Sequence, residues 1–398
     1  MIATMTHWLA SQRLRPSVVA VGLLVCLATW FLFENLSVQH VGGTYGLSFP
    51  LSGRPQSRFS KTSTAGNSTV GFHSVNFINL PSRYDRLDAM SLQAYLSGVE
   101  IVEEPGVEAD QIHDVGMPPT NQPDIKVKEK ACWRAHANIW SRMLRSSIPA
   151  ILILESDANW DIHFREIMEN LNEHFIQFLQ QQADSAPSAS TATDGDNSTA
   201  TREDAPRRPV AHSADDPWQS SHWDILSIGQ CTDNELHKDE KLIYHDPFVV
   251  PGEDYYGQKL GEERVIRKSG GIVCTTAYAV SRQGAAKLLL RSSINLDGPV
   301  DLLMGQMIKD GDLQAYSITP VIVGQWGYLP DIGMDNRGAN SDINDNGEPI
   351  DEHTKMNGWD GVWKSKTVWK VKTPFPQLKY MTLEEAWKRI VGSSKASS

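Results

Sequence analysis

The chain has only four cysteines in 398 residues. None stands in a Cys-x-x-Cys pair or among clustered histidines, so zinc-finger and zinc-ribbon chemistry lacks its ligands. No Gly-x-Gly-x-x-Gly follows the first strand-like segment and no P-loop sequence occurs, which argues against dinucleotide-fold and P-loop phosphate cradles. A Gly-x-Ser-x-Gly nucleophile elbow is absent as well. Positive charge is also scarce. Lysine and arginine number 37 against 48 acids, for a net charge of −11, and no Lys/Arg-dense stretch appears. A nucleic-acid partner is therefore not expected. An acidic protein that handles anionic phosphates needs a cation between itself and its substrate.

What is present begins at the N-terminus. Arg13 and Arg15 precede an apolar run over 18–33, broken only by Gly22 and Thr29. As a helix this run spans roughly 24 Å at about 1.5 Å per residue, which suits the thinner early secretory membranes of roughly 27 Å. A cleaved leader, giving a soluble secreted protein, requires a small-x-small site just after the run. Phe33-Glu34-Asn35-Leu36-Ser37-Val38-Gln39 offers none. The expectation is a signal-anchor over 17–34, a cytosolic tail over 1–16 and a lumenal body, in a single-pass type II arrangement in the Golgi or endoplasmic reticulum. Asn67-Ser68-Thr69 and Asn197-Ser198-Thr199 are glycosylation acceptor triplets that agree with a lumenal body; Asn35-Leu36-Ser37 lies too near the bilayer. Cys26 falls in the apolar run. Cys132, Cys231 and Cys274 leave room for one disulfide whose partners spacing cannot identify, and Cys132 also reads as a buried thiol on an apolar helix face.

Residues 35–70 are rich in Gly, Ser, Thr and Pro and read as a flexible stem. A folded domain over 71–345 follows, then a Trp/Lys-rich extension over 346–398. Within the domain, 183–216 has few large apolar side chains and reads as a disordered insertion. Strands are expected over 74–80, 99–102, 151–154, 223–229, 272–280, 314–318 and 321–323. Helices are expected up to about 96, over 128–145, 163–181, from Ser281 as N-cap, over 300–309 after Pro299 and over 382–390. Strands alternating with helices give an α/β fold, with a mainly parallel sheet sandwiched by helices in a single globular domain. Trp359, Trp363 and Trp369 are expected to cover an edge of the core.

The most informative stretch is Ile151-Leu152-Ile153-Leu154-Glu155-Ser156-Asp157-Ala158. It is a buried strand running into two carboxylates one residue apart. In extended chain, residues i and i+2 share a side, so Glu155 and Asp157 converge on one point while Ser156 turns away. Hard oxygen ligands there can hold Mn2+ or another divalent cation against a diphosphate. The plainer alternative is a pair of acids that solvate a turn or cap a helix.

Several blocks in order over about 75–325 resemble glycosyltransferase family 25, the lipooligosaccharide and collagen β-galactosyltransferases. They are Phe77-Ile78-Asn79-Leu80 with Arg83, Asp85, Arg86 and Leu87; Cys132-Trp133-Arg134-Ala135-His136 with Trp140; and 152–158. They continue with Trp223-Asp224-Ile225-Leu226; Thr276-Ala277-Tyr278 with Gly284-Ala285 and Leu288-Leu289; Pro299-Val300-Asp301; and Pro320 with Gln325. The resemblance implies a GT-A-like fold and metal-dependent inverting transfer of a hexose, galactose or glucose. The donor is a UDP-sugar, the acceptor a glycan or glycoprotein, and the metal manganese. At the acidic pair the family pattern is Glu-Asp-Asp-Ala, where this chain has Glu155-Ser156-Asp157-Ala158. If the outer acids hold the ion, activity is kept. If the middle acid is needed, the alternative is a catalytically inactive family member acting as a membrane-anchored binding or adhesion protein.

Within that frame Glu155 and Asp157 are the candidate metal ligands. Inverting transfer needs a general base for the acceptor hydroxyl. Asp301, in the first turn of a helix, is the first candidate, or else a carboxylate compensating the helix dipole. Asp224 is the second, or else a buried acid holding a loop. Asn79, Arg83, Arg86, Gly271 and Thr276 form the candidate donor-binding set, since a nucleotide docks beyond the first strand of an open α/β sheet. Arg83 and Arg86 have the alternative of surface pairs with Asp85 and Asp88, and Gly270-Gly271 that of a simple turn. His136 reads as a core histidine or a site residue, and Asp342 as part of the acceptor side.

Overall fold

The run Ile151–Leu154 is fully buried because it lies inside a sheet covered on both faces. Period-two alternation sends Leu152 and Leu154 to one face, and Ile151 and Ile153 to the other. The structure, a computed structural model, describes residues 64–185, 216–334, 342 and 358–392, all within one compact unit spanning Ser57–Ser398. The expected cytosolic tail and anchor, nearly all of the stem, Asn35 and Asn197 lie outside the described residues. So do most of the expected insertion and much of the C-terminal extension. Among the described residues no helix is long and apolar enough to cross a membrane.

The strands are β1 (Val75–Asn79), β2 (Ile101–Pro105), β3 (Ala150–Glu155), β4 (Ala158–Trp160), β5 (Ile225–Ser227), β6 (Thr232–Asp233), β7 (Lys241–His245), β8 (Asp254–Tyr255), β9 (Gln258–Lys259), β10 (Glu263–Lys268), β11 (Ile272–Val273), β12 (Ala277–Ser281), β13 (Ala315–Thr319), β14 (Val323–Tyr328) and β15 (Trp369–Val371). The helices are α1 (Tyr84–Ser97), α2 (Val127–Arg145), α3 (Phe164–Ser185), α4 (Arg282–Ile294), α5 (Val300–Lys309), α6 (Trp359–Ser365) and α7 (Thr382–Ile390). The central sheet has eight strands in the order β2-β1-β3-β12-β5-β13-β10-β7. The α/β sandwich expected from the sequence is present. Its sheet is mixed: β2/β1, β1/β3 and β5/β13 are parallel, and the remaining neighbours are antiparallel.

One face packs against α3 through Phe164, Leu171, Phe175 and Phe178. The other packs against α2, α4 and α5 through Trp140, Met143, Leu288 and Met304. Ser281 caps α4 as expected, its Oγ accepting the Gly284 N–H at 3.0 Å. A side chain at Gly284 would put its Cβ 2.4 Å from the Asp224 carbonyl oxygen, so glycine here permits the helix to touch the neighbouring strand's entry. The expected strand over 272–280 is broken in two at Cys274, whose φ of +71° is left-handed. Trp363 is 62% exposed and covers no core edge, whereas Trp369 packs beside Trp326.

The chain goes from β1 outward to β2, then back past β1 to β3. This reversal makes the C-terminal ends of β1 and β3 a topological switch point, and open α/β sheets bind ligands in the crevice outside such strand ends. Asn79 and Glu155 terminate those two strands.

Candidate functional site

The strand β3 ends at Glu155, and Ser156-Asp157 form a turn before β4. The sequence expected an extended segment that turns Ser156 away from two converging acids. Here the turn brings Asp157 inward instead, to 6% exposure, and buries Ser156 as well. Arg86, in the first turn of α1, reaches Asp157 with Nη2 3.1 Å from Oδ2. Its Nη1 lies 2.9 Å from Asp342 Oδ2. Arg83 donates Nη1 to both oxygens of the same Asp342, at 2.5 and 2.7 Å, and grips Asp85 bidentately at 2.9 Å. Tyr328 adds its hydroxyl to Asp85 at 3.0 Å. Arg83 therefore forms the pair with Asp85 that the sequence offered as an alternative, and Asp342 ties it to Arg86. Burial works against both charges of the Arg83–Asp85 pair. The hydrogen bonds outweigh it, raising the arginine above its ordinary value and holding Asp85 at about 2.

Glu155 has the opposite setting. Burial and the neighbouring charges of Asp157 and Asp301 push it up to about 7, against a hydrogen bond from Thr275 Oγ1 at 2.7 Å and the charge of Arg86. Its side chain is 27% exposed. Beneath it lies a buried polar stack. Trp140 Nε1 donates to the Tyr278 hydroxyl at 3.1 Å, and that hydroxyl lies 2.9 Å from His136 Nδ1. His136 Nε2 is 3.9 Å from Glu155 Oε1. Burial lowers the His136 pKa to about 3, so the ring is neutral at physiological pH. The Cys132 thiol feels the same acids: burial first, then Glu155, Asp301 and Asp157, raise its pKa.

Asp301 stands in the first turn of α5 and accepts the Cys274 N–H at 3.0 Å and the Leu302 N–H at 2.9 Å. Both descriptions offered for it are compatible with this position, since it lies at a helix start and beside Glu155. Cys274 forms a disulfide with Cys231 across a separation of 43 residues, which joins β6 to β11. Cys132 is the free cysteine among the described residues.

Asp224 is not brought to this group. It precedes β5, which runs parallel to β3, so it lies at the opposite end of the strands from Glu155, across the sheet along the strand direction. Its Oδ2 accepts Lys287 Nζ at 2.6 Å and the Gln314 N–H at 2.8 Å. It is the buried acid that holds a loop. Gly271 also serves packing. Its φ is +130°, and an added Cβ would lie 3.0 Å from the Gly305 carbonyl oxygen, where α5 rests on β11. Thr276 is fully buried and its Oγ1 accepts Gln325 Nε2 at 3.0 Å. Asn79 donates Nδ2 to Glu103 Oε1 at 3.1 Å, while its buried Oδ1 has no partner.

The structure thus brings Glu155, Asp157, Asp301, Arg83, Arg86 and Asp342 together beyond the C-terminal end of β3, with His136 buried beneath Glu155. Sequence reasoning missed Thr275 and Tyr278 as direct supports of this group. Their signal was present as the start of a strand pairing antiparallel with β3, since Ala277 lies opposite Leu154.

A divalent cation is compatible with these residues. Asp157 Oδ1 is buried without a partner, and Glu155 is crowded by like charge. A hard cation relieves both conditions. Among the described residues no group of three or more His, Cys, Asp and Glu side chains is placed to hold a metal ion. The further ligand oxygens would have to come from substrate and water.

Residues 74–194 match glycosyltransferase family 25 (LPS biosynthesis protein). The chain is 22% identical over 287 residues to a glycosyltransferase 25 family member of Anopheles gambiae, covering 65% of this chain and 38% of that one. It is 21% identical over 301 residues to procollagen galactosyltransferase 1 of Danio rerio, covering 70% and 40%. A glycosyltransferase 25 family member of Aedes aegypti is 22% identical over 290 residues, covering 66% and 37%. The chain therefore spans about two fifths of the length of these relatives. The resemblance to family 25 read from the sequence stands, and the matched segment contains β1, α1, β3 and the Glu155–Asp157 turn.

Proposed function

We propose that this protein is a metal-dependent glycosyltransferase that moves a hexose from a UDP-sugar to a glycan or glycoprotein acceptor with inversion at the anomeric carbon. The observation that carries the reading is the pair Glu155 and Asp157 at the C-terminal end of β3, with an unpartnered buried carboxylate oxygen on Asp157. The name of the Danio rerio relative favours galactose as the sugar.

Glu155 and Asp157 would hold a manganese or similar cation. When bound, that ion supplies positive charge to a leaving diphosphate. The chain's own residues do the rest. Arg86 and Arg83, fixed by Asp157, Asp85 and Asp342, present guanidinium charge at the entrance to the crevice, where a diphosphate is anionic. Asp301 takes the proton from the acceptor hydroxyl. The acceptor oxygen then forms its bond to the anomeric carbon from the face opposite the departing phosphate oxygen, which keeps the electron pair of the broken bond. The two backbone N–H groups on Asp301 hold its carboxylate oriented for that role. Membrane anchoring through 17–34 and a lumenal Golgi or endoplasmic reticulum setting complete the reading. The Cys231–Cys274 disulfide supports an oxidising compartment.

A second reading has one specific observation in its favour. Arg86 already sets a cation on Asp157 Oδ2, and serine occupies the middle position of the acidic motif. That is what a non-catalytic binding or adhesion protein on this fold would keep. Thermal shift and hydrolysis assays with UDP-galactose and UDP-glucose, each with and without manganese, separate the two. Metal-dependent stabilisation and hydrolysis are expected. If no UDP-sugar binds with or without manganese, the catalytic reading is removed.

A further inference from the structure

The stack beneath Glu155 fixes more than packing. Trp140, Tyr278 and His136 are each at most 1% exposed. An indole N–H can only donate, so the Tyr278 hydroxyl accepts from Trp140 at 3.1 Å. That hydroxyl carries a single proton, and among the described residues its other partner is His136 Nδ1 at 2.9 Å. If His136 carried its proton on Nδ1, the phenol would accept twice and its own buried proton would be stranded, with the desolvation penalty of an unpaired buried donor. With Glu155 ionised, the Nε2 lone pair would also face its carboxylate at 3.9 Å. Both penalties vanish when the phenol donates to Nδ1 and His136 carries its proton on Nε2. The hydrogen bonds then run in one direction, from Trp140 through Tyr278 to His136, and the Nε2–H of His136 faces Glu155.

We propose that His136 is a positioning residue: its Nε2–H is aimed at Glu155 Oε1 and, together with the Thr275 hydroxyl on that same oxygen, turns Oε2 toward the crevice. Thr275 Oγ1 lies 2.7 Å from Oε1, so both protein donors address one oxygen and leave the other for a ligand outside the protein. At 3.9 Å the imidazole acts as an oriented dipole and not as a hydrogen-bond donor. The purpose assigned to Oε2 rests on the cation reading of Glu155; the tautomer does not. Partners that orient a ligating group typically account for about 10–100-fold in metal affinity.

The test uses the full chain labelled with 15N-histidine. Imidazole nitrogen shifts, with the signal assigned by its loss in His136→Met, are expected to report the Nε2–H form without any metal present. Tyr278→Phe removes the donor to Nδ1, and a shift of that signal toward mixed tautomers is expected. Manganese affinity is then measured by electron paramagnetic resonance. His136→Met should weaken it about 10–100-fold. His136→Gln, whose amide nitrogen takes the place of Nε2, should restore most of the loss. An Nδ1–H spectrum overturns the inference, and so does a folded His136→Met variant that binds manganese as the wild type does. A wild type that binds no manganese overturns the cation reading instead, so the two failures are distinguishable.

Discussion

At one edge of the central sheet, the rim formed by the strand ends at the start of β5, Asp224 is 3% exposed, with Lys287 Nζ at 2.6 Å and the Gln314 N–H at 2.8 Å on the same oxygen. At the other edge Glu155 and Asp157 sit within reach of each other's charge and that of Asp301, and one oxygen of Asp157 has no partner at all. Both edges therefore hold buried acids. At the first edge the protein compensates the acid completely, which is the ordinary requirement for a buried charge. At the second it leaves like charges crowded together, a condition that costs stability and persists where function uses it. The difference teaches that burial alone does not separate a structural acid from a site acid. What separates them is whether a buried carboxylate oxygen is left without a partner, as Asp157 Oδ1 is even though Arg86 covers Oδ2. Asp246, fully buried against Arg264 Nε at 2.5 Å, belongs with Asp224 on this criterion.

The largest effect that would break the comparison is on turnover. Asp157→Asn keeps the shape of the side chain and a hydrogen-bond acceptor toward Arg86 while removing the charge. Transfer or hydrolysis of the UDP-sugar should fall by on the order of 10²–10³-fold, with a circular-dichroism melt close to that of the wild type. Full activity in this variant would place Asp157 with Asp224 among the structural acids. Next in size is the disulfide. It tethers Cys274, whose N–H holds Asp301, and in the chain-entropy account a loop of this length contributes about 4 kcal/mol. Paired Cys231→Ser and Cys274→Ser replacement should lower stability by about 2–4 kcal/mol in urea unfolding. Asp224→Ala comes third. It strands the Gln314 N–H and frees a lysine that is 35% exposed, so a loss of about 1–3 kcal/mol is expected. The folded variant should keep its affinity for manganese. A large drop in that affinity would erase the distinction between the edges.

How much of this was legible in the sequence depended on direction as much as on pattern. The aliphatic run of β3, the apolar helix α2 and the Ser281 cap each carry their own local signal, so their structures followed directly from residue spacing. The assignments of Asp224 and Thr275 needed something else. β5 runs parallel to β3, which puts a residue preceding it at the far edge; β12 runs antiparallel, which puts its entry beside Glu155. Period and propensity do not encode that sense, because it is set by which strands pair. The same limit hid the ribbon from β6 to β10. Its strands are two to six residues long. Their order is held by contacts far apart in sequence, such as Arg267 with Asp233, Tyr256 and the Leu236 carbonyl. The disulfide partners likewise come together only once β6 and β11 pair.

The smallest effect sharpens the comparison most directly, because it reads the crowding itself. In the folded protein Glu155 ionises near 7, from an ordinary value of 4.5. Between those values the folded chain holds a proton on Glu155 that the unfolded chain has released. Stability must therefore fall as pH rises through the window from 4.5 to 7. Other groups contribute their own slopes, so the measurement is the difference between wild type and Glu155→Gln, followed by urea unfolding in EDTA at pH 5 and pH 7.5. The wild type is expected to lose on the order of 1–3 kcal/mol more than the variant across that interval. Adding manganese should remove most of the difference, since a cation on the carboxylate replaces the proton and its binding releases one. Parallel curves for the two proteins in EDTA would mean that Glu155 is not crowded. The two edges of the sheet would then handle their acids alike.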